Sequence, residues 1–224
     1  MPELKDLWKQ VDSCVSCRQN DNKLQHILGG GKEKQPDVLF CFINPTYRNI
    51  TTDPDYEGQR FPFIGTTKVW KVFANAGLLE PELLEKIKKG WDQSLINETI
   101  KKITQKRFYF TNLVKCAQPH ADNPKTAEIK ELFPLLLKEI SIVRPRLICS
   151  FGGLPFRWLT GRKDLKLAEH FEKQRQSDRL ITYDSVPIDR RTYPVFPCYF
   201  PVGRGNPKKA VELLQIMKKT RLEA

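Results

Sequence analysis

A chain of 224 residues, 40% hydrophobic and 29% charged, has a globular composition with room for one sizeable core. No apolar run approaches the roughly 18 residues that a membrane-spanning helix needs, so a role in the membrane is not expected. Lysine and arginine outnumber aspartate and glutamate 38 to 26, a formal charge of +12. This excess favours a polyanionic partner, nucleic acid ahead of a membrane surface, although a generally basic protein without such a partner has the same count.

Residues 3–12 read as an amphipathic helix rather than a signal peptide, and a turn holding Cys14-Val-Ser-Cys17 follows. Gly29-Gly-Gly31 is a flexible turn before the first strong strand, Asp37 to Ile43. That strand is apolar at consecutive positions, as in a parallel sheet covered on both faces. Residues 44–65 form a long loop rich in Pro, Asp, Thr and Gly. Residues 66–77 form a helix closed by Gly77. The lysine-rich stretch from Leu79 to Gln105 reads as helical, and residues 107–112 as a second strand. A helix over 125–142 has Asp122 or Asn123 near its cap and Pro124 near its start. Pro145 to Phe151 is a third strand, followed by Gly152-Gly153 and another helix. Residues 162–192 are charged and irregular, an insertion or a hairpin. Tyr193 to Phe200 is a fourth strand, and residues 206–220 are a last helix.

This alternation predicts an α/β fold: a three-layer α/β/α sandwich with a central, mostly parallel four-stranded sheet. One domain is expected over residues 1–224, with residues 1–36 packed onto it as a helix and a Cys-x-x-Cys segment. In open sheets of this kind ligands gather at the carboxyl ends of the strands. Here those ends are Asn44–Thr46, Asn112–Cys116, Gly152–Gly153 and Phe200–Arg204.

The stretch Phe110-Thr-Asn-Leu-Val-Lys-Cys116 carries most of the chemistry. Asn112 falls where a strand gives way to a loop, and its amide both donates and accepts, which suits the edge of a nucleobase. Cys41, Cys149 and Cys198 lie in apolar, strand-like runs and read as buried thiols. Cys14, Cys17 and Cys116 lie at element ends. Three thiolates suit a [4Fe-4S] cluster or a zinc site that needs one more ligand, with His120 or a residue of the N-terminal loop as the candidate; three reduced cysteines without metal are the alternative. His26 and His170 receive no role. A disulfide framework is not expected in a chain of this size, and the compartment is read as soluble, intracellular and reducing: the cytoplasm, with the nucleoid, if the source is prokaryotic.

Taken in order, Cys14/Cys17, Phe42-Ile-Asn-Pro-Thr46, Pro62-Phe-Ile-Gly65, Thr111-Asn-Leu-Val-Lys-Cys116 and Phe200-Pro-Val-Gly-Arg-Gly-Asn-Pro207 resemble the uracil-DNA glycosylase superfamily. The pattern is most like the iron–sulfur branch, its fourth family. Four departures stand out. Ile43-Asn-Pro45 is similar to the first motif of mismatch-specific uracil/thymine glycosylases. The loop from Pro45 to Pro62 is longer than in either branch. Phe200 stands where histidine is usual. Leu132 occupies the place of the branch's fourth cysteine.

The resemblance implies a monofunctional DNA glycosylase that flips uracil out of DNA and hydrolyses its N-glycosidic bond, leaving an abasic site. It implies that Asn44 holds the attacking water, that Phe63 and Phe200 contact the base, and that Asn112 reads it. Arg204 and Lys208 would hold phosphates, and Cys14, Cys17 and Cys116 would ligate a [4Fe-4S] cluster. Bland readings stand beside these: an Asn-Pro turn at Asn44, a core ring at Phe63, a loop cap at Asn112, a solvated charge at Arg204. A phenyl ring at Phe200 cannot donate to the uracil oxyanion, so a backbone N–H replaces the histidine or activity is reduced. The expected partner is DNA containing uracil or another deaminated base, acted on by a monomer. The alternatives are a mismatch- or hypoxanthine-type glycosylase, or a catalytically weak DNA-binding member of the fold.

Overall fold

The computed structural model describes residues 3–14, 24–118, 122–177, 179–203 and 205–222. Cys17, His120 and Arg204, singled out above, lie outside the described residues. The elements are α1 (Leu4–Asp12), β1 (Gly30–Gly31), β2 (Val38–Phe42), α2 (Lys68–Asn75), α3 (Pro81–Lys89), α4 (Gln93–Gln105) and β3 (Phe108–Asn112), then α5 (Thr126–Val143), β4 (Ile148–Phe151), α6 (Gly153–Thr160), α7 (Leu167–Arg175), β5 (Asp184–Ile188), β6 (Arg191–Cys198) and α8 (Pro207–Met217).

The strands form one sheet in the order β1-β3-β2-β4-β6-β5. The inner four are parallel. The α/β sandwich expected from the alternation is present, but the sheet has six strands rather than four. The two additions are antiparallel edges. Neither has a strong side-chain signature: β1 is two glycines, and β5 carries Pro187 within a short hairpin that turns at Asp189.

Every residue of β2 and β3 is buried, because the sheet has a core on each face. The period of two sends Phe40, Phe42, Phe108 and Phe110 into one core, with Trp70 and Phe73 of α2, Leu83 of α3, Ile96 of α4, Phe171 of α7 and Leu213 of α8. It sends Leu39, Cys41 and Tyr109 into the other, with Leu7 of α1, Leu136 of α5 and Phe156 of α6. Phe40 sits at the centre of an aromatic group, with Phe73, Phe108 and Phe110 rings at 5.0, 5.2 and 5.2 Å. Cys41, Cys149 and Cys198 are buried free thiols as expected, and burial pushes Cys41 up to about 12. No described helix is long and apolar enough to cross a membrane.

Two stretches differ from their sequence readings. The run from Leu79 to Gln105 is two helices, because Gly90 adopts φ 135° and Asp92 then caps α4 by accepting from Leu95 N at 2.7 Å. Residues 162–192 hold α7 as well as the β5–β6 hairpin. The amphipathic face of α7 is narrow, only His170, Phe171 and Gln174 being buried. Gln174 fastens the following loop by donating to Arg179 O at 2.9 Å and accepting from Ile181 N at 2.7 Å.

His170 packs against Tyr183 and Phe196, with ring centroids at 5.8 and 5.5 Å. Burial, with a smaller contribution from Lys173, pushes its pKa down to about 4 from an ordinary 6.5. Between those values the unfolded chain binds the proton and the folded one does not, so stability present above pH 6.5 is lost as pH falls towards 4. Urea midpoints at pH 7 and pH 5 should therefore differ more in the parent than in His170→Leu. An equal drop in both would refute this source of acid sensitivity.

Candidate active site at the carboxyl edge of the sheet

Strands β2 and β3 end together, with Phe42 opposite Asn112. The pairing continues into the loops, where Leu113 N donates to Phe42 O at 2.8 Å and Val114 N to Ile43 O at 3.0 Å. Gln118 N then donates to Pro45 O at 3.0 Å. The motifs around Asn44 and Asn112 are thus held side by side by backbone hydrogen bonds.

Asn112 is 1% exposed, and neither its amide nitrogen nor its amide oxygen has a hydrogen-bond partner among the described residues. Register partners in a parallel pair point to the same face, so this amide shares the side of Phe42. The Phe42 ring meets Phe63 edge-on at 4.5 Å and Phe151 in a parallel stack at 4.5 Å. Asn112 and Phe63 therefore flank the same phenylalanine.

Phe63 is half-buried and has φ 66°, in the left-handed region that bulky residues avoid. Its carbonyl accepts from Thr66 N at 3.2 Å, Thr66 Oγ1 at 3.0 Å and Trp70 Nε1 at 3.0 Å, and these bonds hold the conformation. Gly65 follows with φ 93°. A Cβ there would lie 2.7 Å from Ile50 Cγ2 and 2.8 Å from Arg48 O, so only glycine lets the long loop close onto this turn.

That loop is built from within, which its composition did not reveal. Asn49 is buried, donates to Phe61 O at 2.8 Å and accepts from Thr51 N at 3.0 Å and Thr51 Oγ1 at 2.9 Å. Asp53, Asp55 and Glu57 are exposed, and Asp53 accepts from Asp55 N at 2.9 Å. Asn44 is half-buried. Its amide nitrogen donates to Pro45 O at 3.0 Å, which directs the carboxamide oxygen away from that carbonyl.

Phe200 joins the same edge from β6. A Cβ on Gly152 would lie 3.8 Å from Phe200 Cβ and 3.9 Å from Ile43 Cδ1, so the ends of β2, β4 and β6 meet there. Gly205 packs against the Phe200 carbonyl, which a Cβ would approach to 1.9 Å. Beyond it Asn206 caps α8 by accepting from Lys209 N at 3.1 Å, and Lys208 is exposed in the first turn. Asn44, Phe63, Asn112 and Phe200 thus collect along one edge of the sheet, with Lys208 one turn away.

Beneath this edge lies a group that the motif reading passed over. Lys115 and Glu139 are 1% and 0% exposed, with Lys115 Nζ 2.6 Å from Glu139 Oε2. Lys115 Nζ also donates to Asn112 O at 2.7 Å and to Thr111 Oγ1. Glu139 accepts from Tyr109 OH at 2.9 Å and Thr111 Oγ1 at 3.0 Å. Burial, then the Glu139 carboxylate, pushes the Tyr109 phenol well above its ordinary pKa and keeps it a neutral donor. A lysine and a glutamate inside otherwise apolar runs were the available signal.

On the face away from Phe42, ligand atoms of Cys14, His26 and Cys116 lie within 4.8 Å of one another, and all three residues are buried. The sequence led to Cys14 and Cys116, but not to His26. Leu132 packs in the same cluster as Cys14 and Cys116. A single tetrahedral ion with 2.3 Å bonds to sulfur spaces its thiolates about 3.8 Å apart, which these residues fit. A four-iron cube places each thiolate on a different iron and spreads its ligands more widely, and this set is compact for it. Cys116 is disulfide-bonded in this structure, so either metal requires its reduced thiolate.

The sequence profile of the uracil DNA glycosylase superfamily matches residues 29–219. The chain belongs to this superfamily. Among its relatives are three proteins named type-4 uracil-DNA glycosylase. That of Archaeoglobus fulgidus is 25% identical over 166 residues, 74% of this chain and 68% of its own. That of Sulfurisphaera tokodaii is 25% identical over 225 aligned positions, 99% of this chain and 84% of its own. That of Saccharolobus solfataricus is 33% identical over 167 residues, 75% of this chain and 63% of its own. The superfamily match spans all four strand ends described above, and the relatives' names agree with the glycosylase-type enzyme expected from the sequence.

Removing one member of the buried pair strands the other charge. Lys115→Met should lose about 3–5 kcal/mol of stability in chemical denaturation, whereas Lys115→Met with Glu139→Leu should lose less. A single variant as stable as the parent would contradict this account.

Proposed function

We propose that this protein removes uracil from DNA by everting the nucleotide and hydrolysing its N-glycosidic bond, leaving an abasic site. The observation that carries the reading is the buried amide of Asn112, beside Phe42 and Phe63 and without a hydrogen-bond partner among the described residues. An unsatisfied buried polar group costs about 1–3 kcal/mol, and Asn112 has two. A ligand that accepts from the amide nitrogen and donates to the amide oxygen removes both penalties. The O4 and N3–H of uracil do so; cytosine presents the reversed pattern, which the amide meets only by turning over.

Phe63 then supplies a stacking surface, worth roughly 1–3 kcal/mol per base. Its left-handed backbone is strain of the kind stored at ligand sites. Asn44 orients the attacking water through its carboxamide oxygen. Asparagine is no general base, so the reaction depends on charge stabilisation in the departing uracil and on a sugar that becomes cationic as the bond breaks. Phe200 offers no proton to the uracil oxyanion, which leaves backbone N–H groups of the edge for that role. Lys208 and the amino end of α8 hold DNA phosphates, in keeping with the +12 charge.

The iron–sulfur cluster of the resembling branch would take Cys14, Cys17 and Cys116. Cys14 and Cys116 lie in the core away from Phe42, so a metal group held there would fasten α1 and the segment before β1 to the domain and take no part in the chemistry. Phe200 and the Ile43-Asn44-Pro45 motif support a second reading, a mismatch- or hypoxanthine-type glycosylase.

The test uses labelled oligonucleotides carrying U, G·U, G·T or hypoxanthine, with alkaline cleavage of abasic sites. Uracil strands should be cut, single-stranded or mismatched ones fastest, since less pairing has to be broken. Asn112→Ala and Phe63→Ala should each lower kcat/KM on uracil about 10- to 100-fold. An Asn112→Asp variant that cuts uracil as well as the parent would rule out base reading by this residue, and cutting confined to G·T or hypoxanthine would select the second reading.

A further inference from the structure

Cys14 lies just after α1, Cys116 in the loop after β3, and His26 in the segment leading into β1. The N-terminal segment and the loop after β3 thus meet in one buried place. The surroundings of His26 are ordered in a specific way. Its Nδ1 lies 3.5 Å from Asp12 Oδ1. Asp12 is itself clamped by Arg60, whose Nη1 and Nη2 donate to its two carboxylate oxygens at 2.7 Å each. Arg60 Nη1 also donates to the His26 carbonyl at 3.2 Å.

A carboxylate on one ring nitrogen, itself held in place, is the support that metal-binding histidines carry. It fixes the ring's orientation and tautomer and leaves the other nitrogen to the metal. With Nδ1 turned to Asp12, Nε2 is the nitrogen that would coordinate an ion held by the two sulfurs.

We propose that His26 is a metal ligand, joining Cys14 and Cys116 in a mixed thiolate–imidazole site for a single tetrahedral ion of the zinc class. Asp12, steadied by Arg60, is its positioning residue. The mixed donor set and the compact spacing suit one ion of intermediate softness. Coordination releases one proton from each thiol to solvent. The site forms in the reduced chain: a phosphine and water convert the disulfide at Cys116 to two thiols and a phosphine oxide, after which the thiolates can bind. The inference is independent of glycosylase activity, since the bound ion takes no part in the base site.

The test is a metal titration of the full chain, reduced with a phosphine and stripped of metal. Cobalt(II) should bind at one equivalent per chain with the visible bands of a tetrahedral site, and zinc(II) should displace it. Asp12→Asn should weaken cobalt affinity about 10- to 100-fold, and His26→Ala at least as much. His26→Cys should keep one equivalent and intensify the thiolate-to-cobalt charge-transfer absorption. Circular dichroism checks folding, and the Asp12 and His26→Cys variants keep the test decisive if His26→Ala does not fold. Unchanged cobalt affinity and spectrum in folded His26→Ala would overturn the proposal. So would a brown protein as purified, holding iron and acid-labile sulfide in amounts that neither His26 nor Asp12 substitution alters.

Discussion

The buried ion pair between Lys115 and Glu139 is the constraint on which the site depends. Two opposite charges taken out of water are tolerable only where each is saturated with hydrogen bonds. Here the saturation comes from the very residues that end β3: Tyr109, Thr111 and the carbonyl of Asn112. Satisfying the pair therefore dictates the backbone at the strand's end. The chain turns back after Asn112 so that Lys115 reaches under it, and Ile27 N then donates to Lys115 O at 2.9 Å. Gly29 lies against the same group, where a Cβ would come within 2.1 Å of Glu139 Oε1. One pair thus aligns a strand end, its loop and the segment before β1.

On the opposite side of the sheet, aromatic packing performs the equivalent task. Phe42 touches Phe63 and Phe151 while its backbone pairs with Asn112. Trp70 adds a stacked contact to Phe110 at 5.8 Å and a hydrogen bond to the Phe63 carbonyl. Rings at these distances have few alternative rotamers in a close-packed core. The Asn112 amide is consequently buried beside these rings without a hydrogen-bond partner among the described residues. That arrangement opposes stability and makes sense where a ligand completes it.

The two faces divide the labour. The core containing Phe42 and Phe110 supports the recognition edge, while the core containing Cys14, Leu132 and Cys116 docks α1 against α5. Arg60 connects them across the long loop: it follows Gln59 and precedes the Phe61–Gly65 turn, yet its guanidinium holds Asp12 of α1. The loop's length is explained by this span and by its internal cap at Asn49, Thr51 and Phe61.

Much of this was legible before any coordinates. Strands buried on both faces announce themselves as unbroken apolar runs, so β2, β3 and β4 could be read, and with them the edge where Asn44, Asn112 and Phe200 gather. The glycine-only β1, the narrow-faced α7 and the break at Gly90 carried little signal, because backbone pairing and a single φ value leave no periodicity in side chains. Residue types and their order along the chain determined the fold class, the family and the candidate base-reading amide. Only the tertiary structure decided that Asn112, beside Phe42, has no hydrogen-bond partner among the described residues, that Lys115 is paired with a glutamate 24 positions away, and that His26 joins two cysteines. Hydrogen bonding and burial of this kind depend on residues distant in sequence, and pattern along the chain reports only on neighbours.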